Sequence, residues 1–254
     1  MKALIDGDIL LYQFGSLTDD QGKPLRWDLI CNHLNDKIAE IVDMSGCSDY
    51  MIYLTGSGNF RKNIATIKPY KGSRKNLQKP HSYYKVKEYL LKSSWIKCTI
   101  VTGMEADDAL GMNDGVRCSN DKDIEMIPGK HVGWSVGKRI PARPLYTITE
   151  EQANRNFFCQ LLSGDPVDDI LGLYMIGPKK AEKLLDGLTG ALSMYAKVKS
   201  EYILRFGSYW QLFMHENARL LWIWRKQDDN VLDWFTELEA KLEVEEQEKI
   251  LAEF

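Results

Sequence analysis

An apolar run near the start of the chain, residues 2–11 (KALIDGDILL), is interrupted by two carboxylates, Asp6 and Asp8. Charge is expelled from a core, so the run reads as a short buried strand whose end carries both acids. Residues 50–54 (YMIYL) and 98–101 (CTIV) are two further strand candidates. Between them, residues 28–44 place Leu29, Ile30, Leu34, Ile38, Ile41 and Val42 at helical spacing. Strands alternating with helices predict an α/β fold with a mostly parallel sheet. Ligands of such sheets bind beyond the carboxyl ends of the strands, where Asp6 and Asp8 would lie. From about residue 151 the pattern becomes helical, with Gly164, Pro166, Gly172, Gly177 and Pro178 marking turns. Residues 231–254 carry Trp234, Leu238 and Leu242 on one face and read as an amphipathic helix closing a single domain over 1–254.

Composition narrows the class of partner. No run approaches the roughly 20 apolar residues of a membrane helix, and the acidic N-terminal stretch is unlike a signal peptide. A cytoplasmic protein without a membrane partner is expected. The five cysteines, Cys31, Cys47, Cys98, Cys118 and Cys159, lack CxxC spacing and favour reduced thiols over a disulfide framework or a zinc site. The net charge of −3 hides a strong asymmetry. Residues 61–97 hold eleven lysines and arginines against Glu88 alone, a local +10 that leaves −13 elsewhere. Such a block is either a phosphate-attracting surface or a solvated face.

The acidic remainder is clustered. Asp6-Gly-Asp8, Glu105-Ala-Asp107-Asp108, Asp121-Lys-Asp123 and Asp165-Pro-Val-Asp168-Asp169 each lie in or after an apolar run. Any one alone is an ordinary turn or helix cap. Brought onto one face, they would repel one another and raise each other's pKa unless cations were present. Oxygen donors without histidine or cysteine select Mg²⁺ or Mn²⁺. Two such ions about 3.5–4 Å apart suit in-line displacement at a phosphodiester.

The motifs, in order, are LIDGD at 4–8, NFRKNIATIKPYKGSRK at 59–75, MEADDALG at 104–111, CSNDKD at 118–123 and SGDPVDDILGLYMIGPKKAEKLL at 163–185. This set resembles the 5′-nuclease superfamily of flap endonucleases and 5′→3′ exonucleases, and within it the exonucleases of T7-type bacteriophages. The resemblance implies a PIN-like sheet flanked by helices, with a helical arch over 61–97, a helix–hairpin–helix (H3TH) element over 163–190 and C-terminal helices over 200–254. It implies Asp6, Glu105, Asp107 and Asp108 as ligands of a first metal, Asp121 and Asp123 around both metals, and Asp165 and Asp168 on a second. Asp8 has a counterpart in the T7-type proteins, whereas Asp169 falls where many relatives carry Asn. Many relatives also place an acid just after the second strand, where this chain reads Leu54-Thr-Gly-Ser-Gly58. That departure leaves the first metal to lean on water or on Asp8.

In the arch, the resemblance makes Lys71 and Arg74 catalytic, drawing the scissile phosphate and offsetting its charge. Arg61 and Lys75 are further DNA contacts, and Tyr70 would stack on a terminal base. Lys75, Lys79, Lys85, Lys87 and Lys92 fit either phosphate contact or a solvated helix face. At the hairpin, Gly177, Lys179 and Lys180 would approach duplex phosphates, with Pro178 in the first helical turn and K⁺ as a further candidate ion. The implied activity is hydrolysis at 5′ ends, nicks or flaps of DNA, giving 5′-phosphates, with RNA/DNA hybrids as further substrates and phage or host replication proteins as partners. A related ribonuclease of the RNase H type and a non-catalytic, structure-specific DNA-binding protein are the alternatives. His33, His81, His131 and His215 stand outside the acidic motifs, and the Trp-rich residues 220–225 read as core packing.

Overall fold

A computed structural model describes residues 1–137 and 139–252, so residues 253 and 254 of the expected terminal helix lie outside the described residues. The chain divides into two compact units, each discontinuous in sequence. The first comprises residues 1–59, 76–148 and 223–227. The second comprises 60–75, 149–222 and the chain from Asp228 onward.

The first unit is built on a six-stranded sheet. Its strands are β1 (Lys2–Asp6), β2 (Asp49–Thr55), β3 (Cys98–Val101), β4 (Val116–Cys118), β5 (Gly129–Gly133) and β6 (Arg143–Ile148). Their order is β3-β2-β1-β4-β5-β6, parallel except for the β5–β6 pair. The expected mostly parallel sheet is therefore present. β4, β5 and β6 were not anticipated from the sequence.

Four helices flank the sheet: α1 (Gly7–Gly15), α2 (Trp27–Ser45), α4 (Tyr83–Lys92) and α5 (Ala106–Met112), with α3 (Arg61–Ile64) belonging to the second unit. Ala3 and Ile5 of β1 pack with Ile52 and Leu54 of β2 among Leu10, Leu34, Ile38, Val86 and Leu90 of α1, α2 and α4. Leu4, the residue between, packs the other way with Leu110 of α5, Ile124, Ile127 and Ile223. Burial on both faces is what a parallel sheet requires, and it is why β1 and β2 read as near-continuous apolar runs.

One boundary differs from expectation. The run 2–11 is a strand only as far as Asp6, and Gly7 opens α1. Asp8 therefore lies in the first turn of a helix. Asp6 is the N-cap, accepting from the N–H groups of Asp8 and Ile9 at 3.1 and 3.4 Å. Glycine is required at position 7, since a Cβ there would lie 2.6 Å from Ile52 Cγ2 and 2.7 Å from the Tyr53 carbonyl.

The second unit is helical: α3 (Arg61–Ile64), α6 (Glu150–Ser163), α7 (Pro178–Leu184), α8 (Gly190–Phe206), α9 (Trp210–Leu221) and α10 (Val231–Ala252), with a short hairpin of β7 (Gly164–Asp165) and β8 (Ile170–Leu171). Phe157, Phe158, Tyr195, Trp222, Trp234 and Phe235 form its aromatic core, confirming a packing role for Trp222. The basic segment 61–97 is not one helical arch. It comprises the single turn α3 and a 3₁₀ turn (Gly72–Asn76) before α4, and it is shared between the two units.

α5 passes close to the 223–227 segment at Gly111, where a Cβ would lie 2.0 Å from the Trp224 carbonyl oxygen. Gly111→Ala should therefore cost about 1–3 kcal/mol by overpacking, read as a lower urea midpoint at unchanged slope.

Candidate active site

In the first unit the acids gather at the carboxyl ends of the central strands. Asp6 closes β1 and is buried; its second oxygen accepts the Ser119 hydroxyl at 2.8 Å, just past β4. Asp8 reaches from α1 to the end of β2, where its two oxygens lie 3.2 and 3.3 Å from the Thr55 N–H. Asp121 caps the 3₁₀ turn Lys122–Met126 by accepting from Asp123 N–H at 3.0 Å. Its own N–H donates to Ser119 Oγ at 3.0 Å. Glu105 is the N-cap of α5, with Asp107 and Asp108 in the first turn. Ala106 N–H donates to Thr55 Oγ1 at 2.8 Å, tying that turn to β2.

These carboxylates act on one another electrostatically. Burial pushes Asp6 up to about 7, assisted by the charges of Asp8 and Asp121 and opposed by its hydrogen bonds to Ser119 and Ile9. Burial also raises Asp8, with Glu105 adding to the effect and Thr55 and Lys87 opposing it. Lys87, on α4, thus counters this cluster directly. Lys79 sits 4.7 and 4.6 Å from the Tyr12 and Tyr83 rings and donates to Tyr12 Oη at 2.6 Å. The sequence makes Lys75, Lys79, Lys85, Lys87 and Lys92 equivalent, and the structure separates three of them. Lys92 is spent on Glu88 at 2.6 Å, whereas Lys79 and Lys87 sense the charge of Asp8.

The donor set is all oxygen and mutually repulsive, which suits a hard divalent cation. As the side chains stand, however, no three Asp, Glu, His or Cys among the described residues are grouped closely enough to grip a metal. Asp108 also stands apart from the ligand role expected of it. It is fully buried, and its two oxygens accept the N–H groups of Glu105 at 3.0 Å and Trp224 at 3.1 Å. Its position favours shaping the start of α5.

The second unit holds the other expected pair. Asp165 is buried, accepting from Gln160 Nε2 at 2.9 Å and from Val167 N–H at 2.8 Å. Asp168 is bound by Arg74 at 2.8 Å, Lys71 Nζ at 3.4 Å and the Tyr70 hydroxyl at 2.9 Å. Lys71 takes a left-handed φ of 54°, and its N–H donates to the Asp168 carbonyl at 2.9 Å. Asp169 pairs with Lys68 at 2.6 Å and accepts from Ser73 N–H, which hold its carboxyl far below the usual range.

Two predicted DNA contacts are in different places from those expected. Tyr70 is buried with its hydroxyl on Asp168 and offers no open face for a base. Arg61 is buried too, donating to the carbonyls of Leu220 at 2.9 Å and Trp222 at 2.5 Å. Its chemistry serves the C-terminal end of α9, whose position the local sequence could not reveal. Lys75, Gly177, Lys179 and Lys180 are exposed, Gly177 as the N-cap of α7 with Pro178 at its first position. Thr55, Ser119 and Gln160 were missed, since nothing in a lone hydroxyl or amide marks it as a carboxylate's partner.

No protein-family model matches the chain. It is 26% identical to the exonuclease of Escherichia phage T7 over 191 residues, 67% of this chain and 62% of that protein. The match thus spans less than two thirds of that relative's length. The chain also shares the fold of bacteriophage T5 5′-exonuclease with bound zinc (TM-score 0.62, 14% identity, 87% of this chain and 88% of that one). A T5 flap endonuclease in a pseudo-enzyme–product complex with DNA and metal ions is similarly related (TM-score 0.63, 16% identity, 86% and 88%). The resemblance read from the motifs is thus matched in sequence and in fold.

Two outcomes follow. The folded chain binds the Asp6 proton more tightly than the unfolded chain does, so that contribution is whole below about pH 4 and lost as pH rises through about 7. In EDTA, Tm should fall across that window and Mg²⁺ should restore it at pH 8. Asp6→Asn should flatten the slope and remove the Mg²⁺ response; unchanged slopes would refute the electrostatic account. Arg61→Ala, which orphans two buried carbonyls, should cost about 3 kcal/mol in chemical denaturation.

Proposed function

We propose that this chain is a divalent-metal-dependent nuclease that hydrolyses DNA phosphodiesters at or near 5′ ends. The observation that carries the reading is the crowding of Asp6, Asp8, Glu105 and Asp121 at the carboxyl ends of β1, β2 and β4 and the start of α5, with Lys79 and Lys87 beside them. The fold shared with phage 5′-nucleases supports it.

Asp6, Asp8, Glu105, Asp107, Asp121 and Asp123 are the residues that would hold Mg²⁺ or Mn²⁺ in the first unit. Bound there, the cation would supply a nucleophile at neutral pH and stabilise charge on the phosphoryl oxygens. The chain's own contribution is positional. Ser119, Thr55 and the first turn of α1 fix the carboxylates before substrate arrives, so little reorganisation is needed. Lys79 and Lys87 attract the substrate phosphate and offset the acids.

In the second unit, Asp165 and Asp168 are the further ligand candidates of the reading. Asp168 would have to exchange Arg74 and Lys71 for a cation, which would release both side chains to phosphate oxygens. Lys179 and Lys180 contact the duplex backbone in this account. The expected products carry 5′-phosphates.

A time course on 5′-labelled flap, nicked and blunt duplexes, with matched RNA substrates, tests the reading. Cleavage should require Mg²⁺ or Mn²⁺, stop in EDTA and favour DNA. Asp107→Ala or Asp123→Ala should lower the rate about a hundredfold or more while DNA binding persists. Full activity in either variant would sink the metal assignment.

A further inference from the structure

The turn between β8 and α7 breaks two local rules at once. Ile176 N–H donates to the Leu173 carbonyl at 2.9 Å, and both of these residues are buried anchors. Between them Tyr174 and Met175 stand 84% and 74% exposed. Met175 also takes φ 59°, a left-handed conformation that glycine adopts without strain and an unbranched apolar residue rarely does. A soluble turn has no local reason to hold two large apolar side chains in water on a strained backbone. Such exceptions mark places where contact with a ligand compensates.

The surroundings indicate which ligand. Residues 170–181 (ILGLYMIGPKKA) contain no acid, and Lys179 and Lys180 are both exposed in the first turn of α7. An apolar tip followed at once by two ammonium groups complements a polyanion that shows apolar faces between its charges. Duplex nucleic acid has that pattern, with phosphates lining a minor groove floored by base edges and walled by sugar faces. Apolar side chains enter that groove in many DNA-bending proteins. In RNA the same groove is lined by 2′-hydroxyls, which the Met175 side chain and the face of the Tyr174 ring would desolvate without offering a hydrogen bond.

We propose that Tyr174 and Met175 form a minor-groove tip that packs against deoxyribose faces and so selects DNA over RNA duplexes. The inference rests on the DNA-binding reading above and adds a source of sugar specificity. Lys179 and Lys180 supply the sequence-independent attraction, and the tip supplies the discrimination.

The test is equilibrium binding of the full chain, in EDTA to prevent cleavage, to labelled DNA duplex, RNA/DNA hybrid and RNA duplex across a salt series. Tyr174→Ser with Met175→Gly should weaken DNA binding about tenfold and RNA-duplex binding less than twofold. The slope of log Kd against log salt should stay unchanged, because no charge is removed. Lys179→Ala with Lys180→Ala should instead lower that slope by about 1.8 and leave the DNA-to-RNA ratio intact. Met175→Gly alone should hold or raise Tm, since glycine fits φ 59°.

Equal losses on DNA and RNA, or a wild-type chain without DNA preference, would overturn the inference. So would unchanged DNA affinity in the double variant, the outcome expected if the tip instead docks on a protein. Failure of the wild-type chain to bind DNA at all, or to cleave it with Mg²⁺, would fail the nuclease reading itself and is distinguishable from these results.

Discussion

The Asp6 carboxylate sits where a buried parallel strand must turn into a helix, and three parts of the first unit are tied through it or its neighbour. Its oxygens accept two N–H groups at the start of α1 and the hydroxyl that follows β4. Asp8, two residues on, accepts from the end of β2. The ends of β1, β2 and β4 are thereby registered by acids whose burial is itself unfavourable, as the raised Asp6 proton affinity records. A chain that merely needed a strand-to-helix turn would be served by serine or asparagine. Retaining ionisable groups there makes sense if a cation completes the balance, so stability and the proposed chemistry meet in the same atoms.

The second unit solves the opposite problem. Its basic segment looks like a surface charge in the sequence, yet much of it is satisfied internally. Asp168 takes up Lys71 and Arg74, Asp169 takes up Lys68, and carbonyls take up Arg61. The Lys68 to Arg74 stretch is held by adjacent carboxylates in two left-handed residues' company, Lys71 and Asp169. Such pinning orders long side chains in advance, which lowers the entropy that a phosphate must overcome to engage them. The exposed lysines of α7 carry no comparable restraint and suit a backbone contact that tolerates any sequence.

How far the sequence disclosed this depends on the range of each interaction. The strands at 49–55 and 98–101 and the helix at 27–45 were legible because apolar periodicity is local. β1 was overrun by five residues because Leu10 and Leu11 extend its apolar run, while the Asp6 cap that ends it looks like any strand-end acid. Arg61 and Tyr70 were assigned to DNA because their partners, some 160 and 98 positions away, leave no trace in the neighbouring residues. The resemblance gives Asp107 and Asp108 one role, whereas a helix sends successive side chains about 100° apart, and Asp108 turns into the Trp224 backbone.

The acid absent after β2 shows the same logic in a single position. Thr55 stands there, its hydroxyl accepting from Ala106 and its N–H donating to Asp8. An aspartate at 55 would set another carboxylate against Asp8 and Glu105, whose charges already disfavour each other. Thr55 lets Asp8 approach by supplying donors where a second acid would repel it. The carboxylate at the end of β2 is thus delivered from α1. Position in the fold, more than position in the motif, then decides which acids can serve a cation.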